Sequence, residues 1–220
     1  MIRRHLKAHR RAYTRGGAAA GMTAAALLGL AGGQLAGHHR PPAHPSPPVA
    51  TPSDQGAPIG HCGVERWPVK TGTDADASQV VLSPVPTTIA HLTSLPAPSN
   101  PPNDRRVAPT ETTVFTLMAT ITEFKLETDN DYHVVVSDGA RTMIVELANP
   151  GCVGAASPFR TQISHARAQF DARYVATGNF QSVSVPVTVT GVGFFDRLHH
   201  QMGVAPNGIE LHPVLDIQFR

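Results

Sequence analysis

The chain has 220 residues with 18 Lys and Arg, 16 Asp and Glu and a formal net charge of +2, but the basic charge is concentrated at the start. Arg3, Arg4, Lys7, Arg10, Arg11 and Arg15 come with no acid among them, and subtracting these 6 leaves 12 basic against 16 acidic residues, a net of −4. The rest of the chain therefore lacks the overall cationic footprint that nucleic-acid binders use to displace counterions from phosphate.

After the basic start, residues 16–37 carry no charge and run through alanine and leucine to small residues near Ala31. A basic head, an apolar stretch and a small-residue exit read residues 1–37 as an export signal. The same stretch, if retained, would be a membrane anchor. Its Ala and Gly content favours removal, an exported protein of the periplasm or extracellular space, and no stable membrane span afterwards. Residues 38–58 are rich in proline with few large apolar side chains, the composition of an extended, disordered linker. His38 and His39 have no further ligands at metal-binding spacing and read as linker composition.

Cys62 and Cys152 are the only cysteines. In an exported chain an even pair is most simply a disulfide. Residues 59–110 read as an extension too small to form a core alone, with Trp67 and the Cys62 bridge as its fastenings. Gln79 to Ser83 is a short strand candidate, Thr87 to Leu95 a brief capped helix, and Leu95 to Pro109 a second Pro-rich stretch carrying Arg105 and Arg106.

From Glu111 the strand signal repeats. Phe115, Leu117, Ala119 and Ile121 alternate, and the apolar phase then moves to Phe124 and Leu126, which predicts a bulged, bent strand. A turn at 128–131 leads to alternation from Asp131 to Ser137, Asp138-Gly139 marks the next turn, and Thr142 to Leu147 forms a third strand. Phe159, Ile163, Ala166, Phe170 and Tyr174 then recur at helical spacing, with Ser157 as N-cap, Pro158 at the first helical position, and Arg160, Arg167 and Arg173 on a solvated face. Val183, Val185, Val187 and Val189 alternate until the phase slips at Gly191, a second bulge. The last strand spans 209–219, with Ile209, Leu211, Pro213, Leu215, Ile217 and Phe219 on the apolar face and Glu210 and His212 together on the other. The order β-β-β-α-β-β with a long bent first strand predicts a mainly β fold, a small five-stranded OB-like Greek-key barrel over 111–220 with the N-terminal extension packed on it. A plain five-stranded antiparallel sheet crossed by a helix is the competing architecture.

Cys62 to Thr71, Asp131 to His133, Gly191 to Asp196 and Ala205 to Val214 resemble the signature segments of a family of uncharacterised exported bacterial proteins. The likeness covers most of 61–217, and it implies export without implying an activity. The family pattern has a glycine between the equivalents of His199 and Gln201, where this chain has His200.

The polar residues concentrated near the final turns mark a candidate site. Asp131, His133, Asp196, His199, Asn207, Glu210 and His212 are its binding residues. One chemistry they allow is a metal-assisted hydrolase of phosphodiesters or esters, with His133, His199 and His212 holding a divalent metal such as zinc. The other is a binding or structural module whose ligand is a glycan or envelope protein rather than nucleic acid. A plainer reading gives Asp131, His133, Glu146 and His212 structural hydrogen bonds and leaves Asn207 to shape its turn. No Gly-rich phosphate loop and no Gly-x-Ser-x-Gly elbow is present, which sets aside P-loop nucleotide hydrolysis and the common serine-hydrolase route.

Overall fold

Alternating β-branched residues dominate the second half of the chain, and the structure, a computed structural model, turns them into strands. It describes residues 61–220; the export-signal and linker readings of residues 1–58 lie outside these. The strands are β1 Val81–Pro86, β2 Thr113–Leu126, β3 Tyr132–Ser137, β4 Thr142–Leu147, β5 Gln181–Phe195 and β6 Ile209–Phe219. The helices are α1 Trp67–Thr71, α2 Ile89–Leu92 and α3 Arg160–Asp171. The chain is mainly β. One six-stranded sheet has the order β1-β2-β3-β4-β6-β5, and β5 also pairs with β2, so five strands run in a ring. β4 and β6 are parallel, the other ring pairs antiparallel, and β1 adds to β2 in parallel.

Both anticipated bulges are present. The register of β2 shifts between Ile121 and Glu123 against both neighbours, and that of β5 against β6 shifts around Gly191. An extra residue at such points bends a strand strongly, which lets a short ring close. A Cβ on Gly191 would come within 2.9 Å of Leu211 Cβ and 3.0 Å of the Pro213 carbonyl, so the bulge there needs a residue without a side chain. The alternation of β6 is not continuous as its sequence suggests. Leu211 and Val214 both face the main core, while Leu215 joins the smaller one, so the phase changes at Pro213.

The interior of the ring is filled by Leu117, Ile121, Phe124, Val134, Val136, Val145, Leu147, Ile209 and Leu211, and α3 adds Ala166 and Phe170. α3 begins at Arg160, two residues later than expected. Ser157 Oγ accepts the Phe159 N–H at 3.2 Å and shapes the preceding turn instead of capping the helix. Arg167 is not solvated as its spacing suggests: its guanidinium lies over the Tyr132 ring and donates to the carbonyls of Asn130 and Leu147 at 2.9 and 3.1 Å.

The outer face of β3, β4 and β6 carries the opposite alternation, and residues 61–74 with the loop 196–208 lie over it. Arg66 is fully buried; its guanidinium grips both carboxylate oxygens of Glu111 at 2.6 and 2.9 Å and donates to the Phe195 carbonyl at 2.6 Å. Arg106 pairs with Asp74 through two contacts of 3.1 and 2.7 Å and donates to the Val69 carbonyl. The disulfide Cys62–Cys152 joins residues 90 apart in sequence. The extension is thus fastened to the ring by the Arg66–Glu111 pair and the bridge, while the Arg106–Asp74 pair ties its own two ends together. Among the described residues, no helix is long and apolar enough to cross a membrane.

Candidate functional site: a sealed polar row beside an open cavity

Strand register brings the polar residues together. His133 on β3 is opposite Glu146 on β4, and the parallel pairing of Ile144 with Glu210 and Val145 with Leu211 leads to Glu146 beside His212 on β6. His133, Glu146 and His212 thus share the outer face, with Glu210 two residues before His212 on the same side, about 6.5 to 7 Å along the strand. That face is not solvated. His133, Glu210 and His212 have no exposed surface, nor has Asp131, which leads into β3.

Glu146 lies between the two imidazoles: Oε1 is 3.7 Å from His133 Nδ1, and Oε2 is 3.0 Å from His212 Nδ1. The other nitrogen of His133 donates to the Met202 carbonyl at 2.8 Å, and the other nitrogen of His212 faces Asp131 Oδ2 at 3.5 Å. Asp131 Oδ1 accepts the Asn149 N–H at 2.6 Å, which fixes its orientation. The remaining polar atoms are unsatisfied. Neither nitrogen of His212, neither oxygen of Glu210, nor Asp131 Oδ2 has a hydrogen-bond partner of good geometry.

The charges of the row are strongly perturbed. Burial pushes the Glu210 carboxyl well up, and the neighbouring Glu146 and Asp196 carboxylates add to the rise. Burial also raises Glu146, but the Lys70 ammonium and the two histidines outweigh it and hold Glu146 well below the usual carboxylate range. Asp131 is raised by burial against the pull of His212. His212 is raised: burial opposes its charge, and the Asp131 and Glu146 carboxylates prevail. Lys70 is likewise raised, because Glu146, Asp196, Glu210 and Asp131 together overcome the cost of burying its ammonium.

Lys70 links the row to a cavity. Its Nζ is 3.7 Å from Asp196 Oδ2, and both residues line an open hollow of ≈ 460 Å³ together with Glu65, Trp67, Asp129 and Gln201. Asp196 Oδ1 and Gln201 Oε1 have no hydrogen-bond partner. Glu65 closes one rim by contacting Arg197 at 3.1 Å and His199 at 2.8 Å. Trp67 packs on Gly63, where any Cβ would collide with the indole.

Of the sequence-selected residues, Asp131, His133, Glu210 and His212 meet in the sealed row, while Asp196 and His199 line the cavity. His199 is on the Glu65 rim, its side chain 47% exposed, and the compact metal-donor group among the described residues is Asp131, Glu146 and His212 rather than the three histidines. Asn207 serves the turn: its amide donates to the Leu92 and Leu95 carbonyls at 3.0 and 2.9 Å, and its carbonyl accepts Ile209 N–H at 3.3 Å. Lys70, Glu65, Asp129 and Gln201 were not selected as site residues, and Glu146 entered only as a structural hydrogen bonder. Glu146 was within reach, since the turn at Asp138-Gly139 fixes the register that sets it against His133. His200 has φ 58°, in the left-handed region that favours glycine.

No family model matches the chain. No curated protein matches it either. Among solved structures, it is similar to a candidate aspartyl-tRNA synthetase from Leishmania major Friedlin, with a TM-score of 0.37 and 14% identity, over 64% of this chain and 22% of that one. The chain thus spans less than a quarter of that protein's length, and a likeness this distant carries no argument.

Proposed function

We propose that the chain is an exported binding module, an OB-like Greek-key barrel of five strands, that takes a small saccharide in the cavity beside Trp67. The observation that carries this reading is the composition of that cavity: the only tryptophan of the chain lines it with Lys70, Asp129, Asp196 and Gln201, in a volume of ≈ 460 Å³. An indole offers a flat apolar surface to the C–H face of a sugar ring, while carboxylate, ammonium and amide groups meet its hydroxyls. The volume lies within the ordinary range for small-ligand sites, about 300 to 1,000 Å³.

The finer architecture follows from the pairing order β2-β3-β4-β6-β5 closing on β2, with α3 between β4 and β6's neighbour β5. OB barrels bind oligonucleotides or oligosaccharides on the face of their second and third strands and on two flanking loops. The corresponding parts here are β3, β4, the turn 127–131 and the loop 196–208, and the cavity takes Asp129 from the first loop and Asp196, His199 and Gln201 from the second. Glu65, Asp129 and Asp196 on its wall disfavour a polyphosphate ligand. Export accords with the disulfide, since such bonds persist in oxidising compartments. Kinship with the exported bacterial family belongs to the same proposal.

The metal-assisted hydrolase is the weaker alternative. Catalytic metal sites keep a position open for water or substrate, and Asp131, His133 and His212 are sealed under the extension.

Retention of the exported protein on an array of bacterial envelope and extracellular saccharides tests the reading. Binding that falls at least about tenfold in Trp67→Ala and in Gln201→Ala, with the thermal transition kept in at least one of them, is the expected result. Absence of any retained saccharide, or binding indifferent to both substitutions, contradicts it.

A further inference from the structure

Three carboxylates line the cavity, Glu65, Asp129 and Asp196, and two of them have cations of their own. Glu65 meets the Arg197 guanidinium at 3.1 Å, and Asp196 meets the Lys70 ammonium at 3.7 Å. Lys70 also faces Glu146 of the sealed row, so it brings no spare positive charge to the wall. Asp129 has no basic side chain within 4.0 Å among the described residues. Its Oδ1 accepts the Asp131 N–H at 3.1 Å. Its Oδ2 and the Trp67 ring are neighbours across Gly63, both within 3.0 Å of the point where a Cβ on that glycine would stand. The cavity thus sets one uncompensated negative charge beside its aromatic wall, and an aromatic ring itself attracts a cation.

The buried polar atoms of the lining have the same bias. Asp196 Oδ1 and Gln201 Oε1 lack a hydrogen-bond partner, both are acceptors, and the Asp196 side chain is only 3% exposed. A buried acceptor left alone costs free energy until a donor reaches it. An ammonium has three donors and no acceptor.

We propose that the saccharide carries a free amino group, protonated when bound, which Asp129 receives beside the Trp67 indole while Asp196 and Gln201 accept from the remaining N–H and hydroxyl donors. The ligand class is an amino sugar whose nitrogen is not acetylated. Acetylation removes the charge, leaves one N–H donor and adds a carbonyl acceptor to a wall that already has acceptors in excess. A neutral sugar leaves the Asp129 charge uncompensated, and a lysine side chain has no ring to lay on the indole. This inference rests on the saccharide reading and names the chemical class of its ligand.

The test titrates the full chain calorimetrically with the β-1,4-linked trimer of glucosamine, with its fully N-acetylated counterpart and with tri-lysine, in a buffer acidic enough to keep the amines protonated. The free-amine trimer should bind at least about tenfold more tightly than the other two, the effect of one charge-assisted hydrogen bond. That comparison needs no variant to fold. In Asp129→Asn the advantage over the acetylated trimer should disappear, and the variant keeps a carbonyl oxygen for the Asp131 N–H. Asp138→Asn, which removes the same charge beyond the far end of β3, should leave the advantage in place. Equal binding of the two trimers, an advantage that survives Asp129→Asn, or retention only of sugars without a free amine overturns the inference and leaves the saccharide reading standing. Tri-lysine bound as tightly as the free-amine trimer also overturns it, because charge alone would then select the ligand. Neither trimer bound and no other saccharide retained would overturn both.

Discussion

The Glu146 carboxylate of β4 stands between two imidazoles, with Oε2 3.0 Å from His212 Nδ1 and Oε1 3.7 Å from His133 Nδ1. The three strands therefore share a polar layer on a face where the ring would otherwise end in solvent. Contacting residues in one such network are energetically coupled. The combined effect of Glu146→Gln and His212→Gln on unfolding free energy should differ from the sum of the single effects by about 0.5 to 3 kcal/mol. Denaturant unfolding of the double-mutant cycle measures it, and additivity within experimental error would show that the row is not one unit.

Arg66 is the principal anchor of the extension, with five contacts that reach Glu111, Pro102, Arg105 and Phe195. Removing one member of a buried ion pair leaves its partner charged and unpaired, at about 3 to 5 kcal/mol. Arg66→Leu should lower stability by that amount, and adding Glu111→Leu should restore part of it. Urea unfolding of the two variants decides the point; a surface-like loss below about 1 kcal/mol would contradict the assigned burial.

The bridge makes a separate contribution. Closing a loop across 90 residues stabilises the folded chain by about 4 to 5 kcal/mol in the chain-entropy model. Reduction should shift the urea midpoint accordingly. It should also raise amide exchange in 61–74 more than in β2, because the bridge ties the extension and not the ring.

Local signals in the sequence were good guides to local structure. The phase change after Ile121 and the slip at Gly191 both mark real register shifts, the brief capped helix expected within 87–95 forms over Ile89–Leu92, and the two cysteines pair. Signals that depend on long-range contact were not legible. Arg66, Arg106 and Lys70 look like ordinary solvated charges along the chain, because a side chain's burial depends on which distant segment covers it. Glu210 and His212 were placed on the correct shared side of their strand, but nothing local says that residues 61–74 cover that side. His199 was grouped with His133 and His212 by residue type alone, and the loop carries it instead to Glu65.

Acid should loosen the join between 74–79 and 105–106. The Arg106 backbone N–H donates to Asp76 Oδ2, and the Arg105 guanidinium to Oδ1, and these hold the Asp76 carboxyl below its usual value. A depressed carboxyl contributes stability that is fully present above its unfolded value and is lost as pH falls through the folded one. Asp76→Asn should therefore be less stable than the parent at about pH 6, with the difference closing toward about pH 2. Melting temperatures measured across that range give the comparison; a gap that widens on acidification has the wrong sign.

The most direct measurement is the emission of Trp67, the single tryptophan of the chain and part of the cavity wall. Titration with a saccharide retained on the array should shift that emission saturably and shield the indole from acrylamide, with the same midpoint that calorimetry gives. Calorimetric binding that leaves the emission and its quenching unchanged would place the ligand elsewhere and contradict the assignment of this cavity.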